Sequence, residues 1–163
     1  MSTVIDTLIT DRTQADVDRV LELRRKALEN GGFPALTSEE KAEFIAGMKG
    51  AYNHSDMIRA GNACNFLYQL FTDAGYALSG FTTPVTDYSY EDYLRQADAQ
   101  NYLNNIRVFH DVAQLDTDVP YSMDYFTFES ANAIEETLVL ADDFISRLNT
   151  SNLYAGELFA GEQ

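Results

Sequence analysis

Two histidines, one cysteine and a surplus of carboxylates are the residues of this chain with chemistry to offer. His54 has Asp56 two residues on, and His110 has Asp111 beside it. A helix brings ligands to one face at a spacing of four, so neither pair is set for a metal, and no HExxH occurs. Asp116 and Asp118 begin like a calcium loop, but Pro120 and Tyr121 stand where the next ligand and the glycine belong. Thr127 replaces the closing glutamate, so the loop pattern fails. Glu135-Glu136 and Asp142-Asp143 are paired carboxylates, expected on the solvated face of the last helix. Acid–base catalysis would need a cleft and a shifted pKa as well. Cys64 sits in an apolar helical run, without catalytic neighbours, and is expected as a buried structural thiol. As the one cysteine it forms no internal disulfide. No P-loop, GxGxxG or GxSxG is present. The chain is therefore read as non-enzymatic, with no catalytic residue, no cofactor and no metal.

Recognition chemistry is better supplied. Aromatic side chains gather in polar connections: Tyr76, Phe81, Tyr88, Tyr90 and Tyr93, then Tyr121, Tyr125, Phe126 and Phe128. Such rings form sugar platforms or protein hot spots, and they equally cap the ends of a helical core. Tyr88, Tyr90, Tyr121 and Tyr125, with Tyr154 and Phe159 near the C-terminus, are the candidate recognition surface. Charge narrows the partner. The 163 residues include 26 acidic and 11 basic side chains, a net charge of −15. That field repels nucleic-acid phosphates and anionic membrane surfaces, so neither is expected as a partner.

Helices must position these residues. With 45% hydrophobic residues, the chain is expected to fold as a single helical domain over 1–163, all-α, a bundle of about five helices with two irregular connections. Residues 1–12 form an N-terminal arm. The first helix starts at Thr13, where Thr13 and Asp16 make a capping box, and it stops at Gly31-Gly32. Its predicted buried stripe is Val17, Val20, Leu21 and Leu28, and its basic triplet Arg24-Arg25-Lys26 suits the C-terminal end of the dipole. Thr37-Ser38-Glu39-Glu40 caps a second helix reaching about Gly50, with Phe44, Ile45 and Met48 turned inward. The third spans about Ser55 to Ala74, and Ala63, Phe66, Leu67, Leu70, Phe71 and Ala74 give it the strongest core face. Its polar start, with Arg59 and Asn62, is expected at the surface.

Residues 76–88 read as a long connection, with a short extended piece at Phe81–Val85 limited by Pro84. The fourth helix is expected from Ser89, burying Leu94, Ala99, Tyr102, Leu103, Ile106, Phe109 and Ala113. A second connection runs from Asp116 to Phe126, and Thr127 caps the fifth helix. Ala131, Ile134, Leu138, Ala141, Ile145 and Leu148 form a narrow seam that packs along a neighbouring helix, within the chain or between copies. The helix is expected to end at Asn149–Asn152. A tail over 150–163 follows, in which Leu153-Tyr154-Ala155-Gly156-Glu157 is repeated at once as Leu158-Phe159-Ala160-Gly161-Glu162. Each copy carries an apolar pair able to pin the tail to the body or to a partner.

Several segments resemble one family. Thr10-Asp11-Arg12-Thr13-Gln14-Ala15-Asp16-Val17-Asp18 is similar to the opening of many proteins from phages and prophages of Gram-positive, often gut-dwelling, bacteria. The resemblance continues through Thr37 to Lys41, Ala46 to Asn53 and Asp124 to Glu135, and ends in the Gly156-Glu157 tail. Residues 76–120 match poorly. Ile9 and Phe44 stand where the family carries an aromatic residue and a tryptophan. The resemblance implies a virion structural or adaptor domain of the tail, baseplate or host-recognition apparatus, contacting other phage structural proteins and open to oligomerisation. It carries over no catalytic residue. MSTVIDTLITDR lacks a basic start and a long apolar run, so no signal peptide is expected, and the protein would be made in the host cytoplasm before entering the virion. Two other functions fit the same residues. One is a carbohydrate-binding module that attaches to bacterial surface glycans through the loop tyrosines. The other is a small acidic regulatory or inhibitory protein that mimics nucleic acid.

Overall fold

The computed structural model describes residues 3–89 and 95–160, the side chains of residues 152–160 excepted. Among the described residues there are five α-helices and no strand: α1 (Gln14–Glu29), α2 (Ser38–Ile45), α3 (His54–Asp73), α4 (Gln96–Ala113) and α5 (Phe128–Ala160). Short 3₁₀ turns stand at Ile5–Thr7 and Phe33–Ala35. The chain is thus an all-α helical bundle.

The three long helices run in the same direction. Arg59 of α3 bonds Glu135 of α5, and two to three turns further on Phe71 stacks on Phe144. Tyr52, just before α3, meets Tyr102 near the start of α4, and Phe71 meets Phe109 further along. Parallel helices need connections that travel their full length, which is the work of the two irregular segments. The first returns down α3 and α4, with Phe81 stacked on Tyr68 and Val85 and Thr86 against Gly61. Asn105 of α4 is buried and holds both the N–H and the C=O of Thr82, at 2.8 and 2.6 Å. A helix side chain so takes the place of the strand partner that the Phe81–Val85 reading left open. Thr137, buried on α5, anchors the second connection by its hydroxyl contact of 2.7 Å with Thr117.

One core fills the space between α3, α4 and α5. It holds Ala60, Ala63, Cys64, Leu67 and Phe71 of α3, Tyr102, Leu103, Ile106 and Phe109 of α4, and Ile134, Leu138, Ala141 and Ile145 of α5. Cys64 is fully buried, and desolvation pushes its thiol well above the ordinary range, as a structural thiol should behave. The seams expected on α4 and α5 are therefore found, with Leu94 outside the described residues. Helix α4 itself begins at Gln96, and residues 90–94 of the start expected at Ser89 lie outside the described residues.

Several expectations need correction. In α1 the buried residue is Leu23, flanked by half-buried Val20 and Ala27, while Leu21 and Leu28 are exposed. The stripe is turned because little more than α2 and the segments flanking it cover this helix. Helix α2 stops at Ile45, not near Gly50, since Gly47 takes a φ of +85° that an L side chain rarely adopts. Met48 is buried, but Phe44 and Ile45 face outward. The polar start of α3 is divided: Asn62 is exposed as expected, but Asp56 is buried and Arg59 is largely covered. Glu135 and Asp142 are buried while Glu136 and Asp143 are exposed, so the carboxylate pairs straddle the interface instead of lying on one solvated face. Helix α5 passes through Asn149–Asn152 and reaches Ala160. Thr150 and Ser151 return their hydroxyls to the carbonyls of Ser146 and Arg147, each at 2.9 Å, and do not cap an end there.

Candidate functional site

The strongest cluster of ionised groups lies where the N-terminal arm meets α3 and α5. Arg12, at 3% exposure, donates to Asp56 at 2.9 Å and to Glu135 at 2.6 Å. Arg59 donates to the same two carboxylates, at 2.5 and 2.8 Å. The backbone closes the set: Ile9 N–H donates to Glu135, the Ile9 carbonyl accepts from Arg12, and Asn53 N–H donates to Asp56. Asn132 holds the N–H and C=O of Arg12 at 3.0 and 2.9 Å. Two guanidinium groups and two carboxylates balance in charge, and every carboxylate oxygen has a donor. Burial alone would lower the Arg59 pKa, but Glu135 and Asp56 outweigh it and hold it raised. Tyr52 lies beneath Arg12 and pairs its hydroxyl with Tyr102, and burial pushes both phenols upward. Two guanidinium groups and two carboxylates from the arm, α3 and α5 grip one another, so the clasp fastens these chain segments together.

The clasp also accounts for the motif segments. Asp11 pairs with Lys49 at 2.8 Å, and Thr13 and Asp16 form the box that starts α1. Thr37 and Glu40 form the box of α2, and Glu40 also receives Lys26 from α1. A Cβ on Gly50 would stand 2.1 Å from the Asp16 carbonyl oxygen, so only glycine lets this turn reach α1. Asn53 caps α3 with Asp56. Residues 9–16, 49–56 and 132–135 thus converge on one joint between the arm, α1, α3 and α5, and the Gly156-Glu157 pair is not part of it.

Beside that joint the surface is apolar. Val20 and Arg24 of α1, Phe33 of the 3₁₀ turn before α2, Phe44 and Ile45 of α2, Met48 and His54 line a groove of about 820 Å³. Phe33 and Phe44 meet edge to face at 5.7 Å, yet they remain 40% and 46% exposed, and Ile45 69%. In a chain with 26 acidic residues, no aspartate or glutamate among the described residues lines this groove. No signal marked it beforehand, because Phe44 and Ile45 read as core.

The aromatic recognition residues are dispersed. Tyr121 and Tyr125 are exposed at 83% and 98%, both in the α4–α5 connection. Arg107 covers one face of the Tyr121 ring at 4.5 Å. Tyr88 packs against the main core, half-buried. Tyr90 lies outside the described residues, as do the side chains of Tyr154 and Phe159. The histidines stand apart, His54 at the groove and His110 paired with its neighbour Asp111 at 2.9 Å. Among the described residues no helix is long and apolar enough to cross a membrane. No family model, curated protein or solved structure matches the chain.

Proposed function

We propose that this chain is a structural adaptor domain of a phage particle, part of the tail, baseplate or host-recognition apparatus, acting through protein–protein contacts. The observation that carries the reading is the groove, an apolar surface with exposed Phe44 and Ile45 and no carboxylate in its lining, on an otherwise acidic chain. The resemblance of the motif segments to phage and prophage proteins supplies the setting. Its partners are other phage structural proteins. Mass spectrometry of purified, partly disassembled particles tests the role. The protein is expected in the tail fraction; its restriction to the infected-cell cytoplasm overturns the reading and leaves a regulatory protein in its place.

Tyr121 and Tyr125 favour a second reading, attachment to bacterial surface glycans. Two rings exposed above 80% in one connection offer stacking faces. Tyr121→Ala and Tyr125→Ala are then expected to weaken retention on cell-wall glycan. Absence of glycan binding by the intact protein at millimolar concentration removes this reading.

A further inference from the structure

The groove and the last described turns of α5 stand at opposite ends of the molecule. The groove is built against the start of α3, where Arg59 meets Glu135 near the beginning of α5. Helix α5 then continues for 33 residues in all, about 50 Å, against about 30 Å for the 20 residues of α3. Leu153 lies 21 residues beyond Asn132, about 31 Å along a continuous helix. The tail of one copy therefore cannot fold back into its own groove. In sequence, residues 152–163 carry Leu153, Tyr154, Leu158 and Phe159 with Glu157 and Glu162, and no lysine or arginine. The groove has the complementary character: apolar walls, no carboxylate, and Arg24 as its charged group. Arg24 makes no ion pair among the described residues.

Resting on the reading of the groove as a protein-contact surface, we infer that its occupant is the C-terminal repeat of a second copy of this chain. The apolar residues of the repeat fill the groove, and its glutamates face Arg24. Such a contact joins two different surfaces, so copies add head to tail into a ring or an open row.

The test is light scattering coupled to size exclusion on the intact chain, over a concentration series. Mass is expected to rise above the monomer with concentration. Ile45→Glu, which blocks the groove at an exposed position, and Leu158→Glu, which blocks the tail, are each expected to stay monomeric. An equimolar mixture of the two is expected to form a dimer and nothing larger, because one free groove and one free tail remain. Arg24→Glu is expected to weaken association by roughly tenfold or less. Circular dichroism melts check that each variant is folded. A wild-type chain that is monomeric throughout, assembly unaffected by both variants, or a mixture that does not pair would overturn the inference. A monomeric chain still found in tail fractions would leave the adaptor role standing and refute only the choice of occupant.

Discussion

Among the described residues, eighteen buried side chains close the core of the α3–α4–α5 bundle, whereas Leu23, Leu36 and Met48 alone close that of the α1–α2 lobe. At about 1.5–3 kcal/mol for each large buried side chain, the bundle holds most of the hydrophobic stabilisation. The lobe compensates with charge. Arg19 bonds Glu43 and Lys26 bonds Glu40 across α1 and α2, and Lys49 bonds Asp11. The sequence divides the same way: residues 1–59 carry ten acidic and eight basic side chains, residues 60–163 sixteen and three. A near-neutral lobe with its own ion pairs leaves an apolar surface open, while the bundle encloses its apolar surface and turns an acidic exterior outward. The clasp of Arg12, Asp56, Arg59 and Glu135 couples the two parts.

The largest effect is expected from breaking that coupling. Arg12→Ala removes one guanidinium and leaves Asp56 and Glu135 buried with Arg59 alone. Uncompensated buried charge costs about 3–5 kcal/mol, to be read as a lower urea midpoint. Hydrogen exchange should show the arm and the lobe released before α4. A variant whose midpoint equals the wild type would show that the clasp is dispensable.

The clasp was hidden from sequence reading for a plain reason. Arg12 and Glu135 are 123 positions apart, and each looks like one more surface charge until the chain brings them together. The capping boxes at Thr13 and Thr37 were legible because cap and partner lie three residues apart. The buried face of α4 was legible because much of that helix is covered. Helix α1 is covered on one narrow side, where Leu23 and Leu28 cannot be told apart by spacing alone, and for the same reason Phe44 and Ile45 were placed in a core instead of a groove. Asn105 and Thr137, which fasten the connections, read as ordinary polar helix residues.

Paired truncations sharpen the contrast between the two cores. Leu138 and Leu23 are both fully buried, so transfer energy alone would make their replacement by alanine equally costly. Leu138→Ala is expected to cost about 2–5 kcal/mol globally and to speed exchange throughout α3, α4 and α5. Leu23→Ala is expected to cost less, because the small core around it can collapse, and to speed exchange in residues 14–45 while residues 96–113 keep their protection. Equal loss of protection along the chain in both variants would make lobe and bundle one cooperative unit.

The smallest expected effect is a pH dependence of opposite sign in the two parts. In the lobe, Lys26 and the Thr37 amide hold the Glu40 carboxyl below its ordinary value, Arg19 does the same for Glu43, and Lys49 for Asp11. A carboxyl depressed in the folded state stabilises above its unfolded pKa, and that contribution is lost as pH falls through the lower folded value. In the bundle, burial raises Asp142 above its ordinary value. Its ionised form therefore opposes folding at neutral pH, and the opposition is relieved as pH falls through the raised value. Acidification meets Asp142 first and the lobe carboxylates afterwards. Amide protection in α5 around Asp142 is expected to hold or rise until pH enters the ordinary carboxylate range, about 4, below which residues 14–45 lose protection first. The lobe pairs reach solvent, Glu40 less than the others, so about 1 M salt at neutral pH should loosen the same residues without touching Asp142's neighbours. Loss of protection in lobe and bundle over one common pH range would mean that ion pairs do not set the stability of the lobe.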